Sequence, residues 1–242
     1  MSQPAISCYH CEKPITGNFC AHCGKPKSLE RIDGRYVMSE FRSIVNFDKG
    51  ILFTIWELLL RPGANIHHFM HHDRNRLVKP IIFLITASLI YSLLQQILHF
   101  EDGYMSFSGT EESATIAIFA WIQKNYGYAN LLMAIFIAWW IKLFFRKYAY
   151  NYFEILILLC FIMGMGMLMY TAFGLLESLT SWKVLQIGGI FGMLYAGWAI
   201  ARFFDKSRFW NYAKGIFAYL LGFLTFSIAA LVLGLAIDWI SK

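Results

Sequence analysis

Charged side chains are scarce in this 242-residue chain: Asp, Glu, Lys and Arg make up 15% of it, against roughly 25% in a soluble domain. That deficit excludes a protein wetted on all sides. With 58% hydrophobic and 18% aromatic residues, the surplus apolar surface must face lipid. Proline is rare, at 5 residues, which leaves long apolar runs unbroken. The N-terminal segment lacks the continuous apolar run of a secretory signal, so insertion is expected to begin at the first spanning helix. Ionisable groups are also few within the predicted spans, because Glu154, Glu177, Lys142 and Asp238 all fall near predicted helix ends. Proton-coupled transport and intramembrane hydrolysis need such groups at depth. No nucleophile–base pair, phosphate loop or open metal site emerges, so the expectation is a protein that is not an enzyme. The net charge of +6 is spread beside apolar segments and not gathered into a basic patch, which argues against nucleic acid.

What is present is a series of apolar runs of about 20 residues, the length that crosses a hydrocarbon core. Five spanning helices are predicted, over Pro80–Phe100, Tyr128–Phe145, Tyr152–Leu176, Val184–Phe204 and Tyr212–Ile240. The apolar stretch Ser113–Gln123 is too short to span and sits beside Glu111 and Glu112, so it is assigned to the interface. Basic residues alternate between loops. Residues 1–79, the loop with Lys142, Arg146 and Lys147, and the loop with Arg202, Lys206, Arg208 and Lys214 are basic, whereas Glu101, Asp102, Glu111 and Glu112 dominate the loop after the first span. By the positive-inside rule this predicts a multi-pass protein of the bacterial inner membrane, N-terminus cytoplasmic and C-terminus outside. The expected fold is therefore an all-α membrane bundle of five helices, residues 80–242, behind a connector, 31–79, and a small head, 1–30. In the connector, apolar residues at helical spacing from Phe41 to Leu59 predict amphipathic helix. Its run Ile51–Leu60 is closed by Pro62-Gly63, and lies either in the headgroup plane or packed beneath the bundle.

The head carries Cys8, Cys11, Cys20 and Cys23 as two Cys-x-x-Cys pairs. Each pair presents two sulfurs to one ion, and four thiolates close a tetrahedral shell, so one structural Zn2+ in a zinc ribbon is predicted. In a reducing cytosol two disulfides are disfavoured. Gly24 follows the second pair where a tight turn brings backbone N–H groups to sulfur, whereas Glu12 holds the corresponding place in the first. His10 and His22 are read as spacers.

Weaker constellations carry two readings each. His67 with His71 and His68 with His72 stand one helical turn apart, which suits either a second metal site or a basic interfacial strip touching lipid headgroups. Gly188, Gly192 and Ala196 form a small-residue stripe for close helix approach, inside the bundle or between copies of a homo-oligomer. Gln95, Gln96 and His99 near the outer end of the first span either line a vestibule or hydrogen-bond between helices. Cys160, Met163, Met165, Met167 and Met169 in the third span are soft ligands of the kind that suit Cu(I), or packing residues, the reading preferred because alternate residues point around a helix.

The cysteine head, the Phe53-Thr54 to Arg61-Pro62-Gly63 stretch, the basic strip ending at Lys79-Pro80 and the Asn151-Tyr152-Phe153-Glu154 opening of the third span resemble an uncharacterised bacterial family of zinc-ribbon-headed membrane proteins. That family is similar in layout to the Yip-type pentaspan proteins, which implies a cytosolic N-terminal region, a pre-membrane helix and five spans. The histidines and Asp73 depart from the family's Gly-Lys-Arg-like strip. Three functions are expected in order. The first is a non-enzymatic membrane protein whose zinc ribbon binds a cytosolic protein partner or senses a cytosolic condition, while the bundle anchors or transmits it. The second is an oligomeric channel or membrane-disrupting effector, and the third a lipid-handling protein.

Overall fold

The computed structural model describes residues 6–15, 17–27, 34, 50–101, 113–180 and 182–240. The periodic segment expected over 36–49, and Asp102, Glu111 and Glu112, lie outside the described residues. Strands β1 (Ile6–Ser7) and β2 (Pro14–Ile15) pair antiparallel in the head. Among the described residues the helices are α1 (Ile51–Leu60), α2 (Pro62–His71), α3 (Pro80–Leu98), α4 (Ala114–Lys124), α5 (Tyr126–Phe144), α6 (Tyr152–Thr180), α7 (Leu185–Phe204) and α8 (Phe209–Ile240). Five of them, α3 and α5 to α8, are long and apolar enough to cross a membrane, as the hydropathy pattern predicts. Three overrun their predicted limits: α5 begins at Tyr126, α6 continues to Thr180 and α8 begins at Phe209.

The central helix is α6, which packs on α3, α5 and α7 and is almost continuously buried from Glu154 to Met165. Helix α8 lies across α4, α5 and α7 and buries mainly small residues, among them Gly215, Ala218 and Gly222, leaving its large apolar side chains for lipid. Contacts at the two ends fix the direction of each pass. At the head end Asn211 of α8 donates to the Tyr148 hydroxyl at 3.2 Å, and His71 meets the Tyr150 ring at 6.0 Å. At the far end Tyr126 donates to Glu101 at 3.2 Å, and Glu177 accepts the Leu185 N–H at 2.8 Å. Five alternating passes therefore leave the end of α8 opposite the cysteine head. Exposed tryptophans mark both ends, Trp56 and Trp210 at one, Trp121, Trp182 and Trp239 at the other. Trp210 and Trp239 stand 29 residues apart on one helix. That is roughly 44 Å at 1.5 Å per residue, the thickness of a bilayer with its headgroups.

Helices α1 and α2 form a collar under the head end, which decides between the two placements left open by the sequence. Leu58, Ile66 and Phe69 are fully buried in the same core as α6, while Leu52, Trp56 and Leu60 of α1 are exposed. The collar is thus packed beneath the bundle on one face and apolar on the other. Burial of such side chains contributes roughly 1.5–3 kcal/mol each. Pro62 ends α1 and supplies the first residue of α2, where its missing N–H has no helical partner to lose. Carbonyls near the end of α1 are then met from elsewhere: Tyr195 of α7 donates to the Leu58 carbonyl at 2.9 Å, and Asn65 to that of Glu57 at 2.8 Å. Thr54 accepts the Val78 N–H at 3.0 Å and Arg76 pairs with Glu57 at 2.7 Å, tying the α2–α3 connection back to α1. Gly63 lets α2 close on α7, since a Cβ there would fall 2.5 Å from the Arg202 carbonyl oxygen.

The small-residue stripe of α7 faces α6: a Cβ on Gly188 would lie 2.7 Å from that of Phe173, Gly192 lies beside Gly166, and Ala196 is buried. The stripe packs within the chain. The short apolar stretch predicted at 113–123 is helix α4, with no buried residue. Its start is held by α8, where Asp238 accepts the Ser113 hydroxyl at 2.9 Å, the Ala114 N–H at 2.5 Å and the Thr115 hydroxyl at 3.0 Å. A side chain from another helix thereby meets the donors a helix start leaves free.

Candidate metal centre

Each cysteine pair closes a tight turn of the same construction. The N–H of Cys8 donates to the Lys13 carbonyl at 2.8 Å and that of Glu12 to the Cys8 carbonyl at 2.9 Å; in the second turn Cys20 N–H reaches Lys25 at 2.7 Å and Gly24 N–H reaches Cys20 at 2.9 Å. Both turns end on a left-handed residue, Glu12 at φ 59° and Gly24 at φ 70°. Glycine takes this conformation without cost, whereas Glu12 is held there by the fold. The less regular sequence of the first turn therefore makes the same shape as the second. The β1–β2 pair closes the base of the first loop, and a bridge between Phe19 and Pro26 closes that of the second.

The closure brings all four sulfurs together. Cys8 Sγ lies 3.6 Å from Cys23 Sγ and Cys11 Sγ 3.5 Å from Cys20 Sγ, and the four lie within 4.8 Å of one another. Sulfurs bound tetrahedrally at about 2.3 Å stand roughly 3.8 Å apart, so the donor set fits one metal ion. Cys8 and Cys20 are buried, whereas His10 and His22 are exposed and do not join the cluster. Backbone N–H groups of Cys23 and His22 draw the Cys20 thiol down to about 6. At Cys23 the Lys25 N–H acts in the same direction, but burial and the thiols of Cys11, Cys8 and Cys20 outweigh it and push Cys23 up to about 12. Four adjacent thiols resist ionising together, and a cation among them removes that resistance.

The head is seated on the collar. Lys25, the residue whose carbonyl closes the second turn, reaches Asp73 Oδ1 with its Nζ at 2.8 Å. Tyr9, inside the first turn, meets the His72 ring at 6.3 Å. Beneath this contact the four histidines of α2 and its end form two stacks, His67 on His71 at 4.3 Å and His68 on His72 at 5.1 Å. His71 Nδ1 lies 3.0 Å from the His67 carbonyl oxygen. Burial first, then neighbouring positive groups, hold His67 and His68 below the usual histidine range. Among the described residues only the four cysteines gather three or more metal-ligating side chains. Of the strip, His72 meets the head through Tyr9, whereas His67 and His71 lie against Phe203 and Tyr150.

At the far end Gln95 and Gln96 line a cavity of about 250 Å3, and His99 ends α3 in a left-handed turn outside its lining. The same cavity contains Glu101, which the sequence placed in an acidic loop. Glu101 instead turns inward, its carboxylate accepting the hydroxyls of Tyr91 and Tyr126. No local pattern announces this, because Tyr91 lies within α3, Glu101 just beyond its end and Tyr126 at the start of α5.

A family model described as a protein of unknown function, DUF3667, matches residues 48–92. The matched stretch is the collar, the seat of the head and the first half of α3. No curated protein and no solved structure matches this chain.

Proposed function

We propose that the chain is a non-enzymatic membrane adaptor or sensor: a cytosolic zinc ribbon binds a protein partner or reads a cytosolic condition, and the collar carries that event into a five-helix bundle. The observation that carries this reading is the unbroken line of contacts from metal centre to membrane. Lys25 and Tyr9 hold the head on Asp73 and His72, α2 is buried against α7 through Gly63, and Tyr195 of α7 bonds back to α1. A change in the head therefore bears directly on buried helices. The all-sulfur donor set and its spacing favour zinc.

Charge supports a cytosolic head. Lys142, Arg146 and Lys147, and Arg202, Lys206, Arg208 and Lys214, fall at the head end of their helices, whereas Glu101, Glu177 and Asp238 fall at the far end. Phe19 is 66% exposed at the edge of the second turn and offers an aromatic anchor to a partner. Burial of α6 from Ile157 to Phe161, on the head side of the bundle, favours this reading over a pore through one copy. The layout resembles that of the Yip-type proteins, and the inner membrane of a bacterium is the expected location.

The full chain, purified in mild detergent, should carry one zinc per chain by metal analysis and none after Cys20→Ser. Photocrosslinking in cells from position 19 should yield discrete adducts that Cys20→Ser abolishes. Adducts identical in the two proteins would remove the support for a partner-binding head.

A further inference from the structure

Two cavities meet at the far end of the bundle. The first, of about 250 Å3, is polar, with Gln95, Gln96, Gln123 and Lys124 on its walls. The second, of about 300 Å3, lies inside the ring made by α5, α6, α7 and α8, with Ile162 and Met163 as its deepest residues on α6 and Gly188, Gly189 and Gly192 along α7. Tyr91, Tyr126 and Glu101 line both and form the partition between them. Glycines on α7 leave the inner cavity open where larger side chains would fill it.

The inner cavity has an unusual lining. Tyr91, Tyr126, Tyr170 and Tyr219 surround it, with the first two rings in edge contact at 4.9 Å and Tyr91 and Tyr170 at 5.9 Å. Its one acid is Glu101, 9% exposed, whose carboxylate is held by the hydroxyls of Tyr91 and Tyr126. No Lys or Arg lines this cavity, and among the described residues none pairs with Glu101; Lys124 reaches the polar cavity alone. At the far end of the bundle, just beyond α3, this shielded carboxylate receives hydrogen bonds from two hydroxyls and no positive charge from them. Tyrosine rings attract cations with their faces, the more so where water is excluded. Besides the tyrosines and Glu101, Asn130 is the one polar side chain of the lining and donates to Met167 at 2.8 Å, while walls of methionine, isoleucine and glycine suit the alkyl surface of such a cation.

We infer that this inner cavity is a binding site for an organic cation, a substituted ammonium whose charge sits against Glu101 and whose alkyl groups sit among the four tyrosines. The polar cavity beyond the partition is its approach from the far end. The cavity is 300 Å3 in size, at the small end of ligand pockets, which suits a compact ammonium group or the head of a larger amphiphile.

Ligand-observed NMR titration of the full chain in maltoside detergent tests this, with choline as the quaternary ammonium probe and its uncharged tert-butyl isostere as the control. Choline should bind at least tenfold more tightly than the isostere. Glu101→Gln, which keeps an acceptor for the tyrosine hydroxyls and removes the charge, should abolish that preference, and Tyr170→Leu should weaken choline binding several-fold. Equal binding of the two probes to the unaltered protein, a measurement that no folding defect can obscure, would overturn the inference. So would an undiminished preference in a folded Glu101→Gln protein.

Discussion

Lys25 Nζ lies 2.8 Å from Asp73 Oδ1, joining the second cysteine turn to the end of α2 across 48 residues of sequence. Their side chains are 22% and 18% exposed, so the pair is partly shielded and partly screened. It joins head and collar by opposite charges. Lys25→Glu should raise hydrogen exchange in α2 and in the head turns, consistent with a loss of about 1 kcal/mol of docking, roughly fivefold in the seated fraction. Metal content should not change, because Lys25 contributes its backbone carbonyl to the turn and no ligand. Lys25→Glu combined with Asp73→Lys should recover the protection. Failure of the swap to do so would mean that Tyr9 and His72 hold the head without help from the charges.

Glu12 occupies a left-handed conformation that the equivalent Gly24 adopts freely. Replacing a non-glycine residue at such a φ with glycine removes a cost of roughly 1–2 kcal/mol. Glu12 is exposed, and a Cβ-free residue loses no packing there. Glu12→Gly should therefore slow metal loss to a chelator by several-fold. Gly24→Ala should hasten it by a similar factor. Both rates are measurable by stopped-flow release into a coloured zinc chelator.

These features show what a single chain of letters exposes and what it hides. Cys8, Cys11, Cys20 and Cys23 announce themselves because both halves of the ligand set are local, each within one turn. The spans are equally plain, since lipid demands about 20 apolar residues in a row. Pro62 was readable as the end of α1 but not as the start of α2, because proline serves both roles. Lys25 with Asp73, Glu101 with Tyr91 and Tyr126, and Asp238 with Ser113 were not readable at all. Each couples residues brought together only when helices pack, and periodicity tells which face of a helix is buried without telling what lies against it.

Gly63 offers a test of the link between collar and bundle. Its backbone closes on the α7 carbonyl of Arg202 so tightly that any side chain must push α2 away. Overpacking of this kind costs typically 1–3 kcal/mol. Gly63→Val should lower the thermal midpoint of the detergent-solubilised protein and expose the collar to protease, while the four-cysteine centre keeps its metal. If the proposed transmission is right, Gly63→Val should also blunt any change in the α6–α7 exchange pattern caused by stripping the metal, because the intermediate contact has been loosened. An exchange response equal to that of the unaltered protein would show that the head acts on the bundle by another route.

The histidine seat should respond to acid. Burial, then His72 and Arg76, hold His68 below its ordinary value of 6.5, with Asp73 opposing and His10 assisting; burial, then His71, His72 and His68, do the same for His67. Both groups therefore bind protons less readily in the seated state than when released. Stability from this source is complete above the released value of 6.5 and is lost as pH falls below it towards the lower, seated value. The head should loosen on acidification from about pH 7.5 to about pH 5.5, seen as faster hydrogen exchange in α2 after correction for the intrinsic rate. Among the described residues the buried His68 Nδ1 has no hydrogen-bond partner, so His68→Leu removes the titrating group without stripping a side-chain bond from them. That variant should flatten the pH response relative to the unaltered chain, and since both proteins share the same thiols, their difference isolates the imidazole from any acid-driven loss of metal. A response of equal size in the two would assign the acid sensitivity to the metal centre.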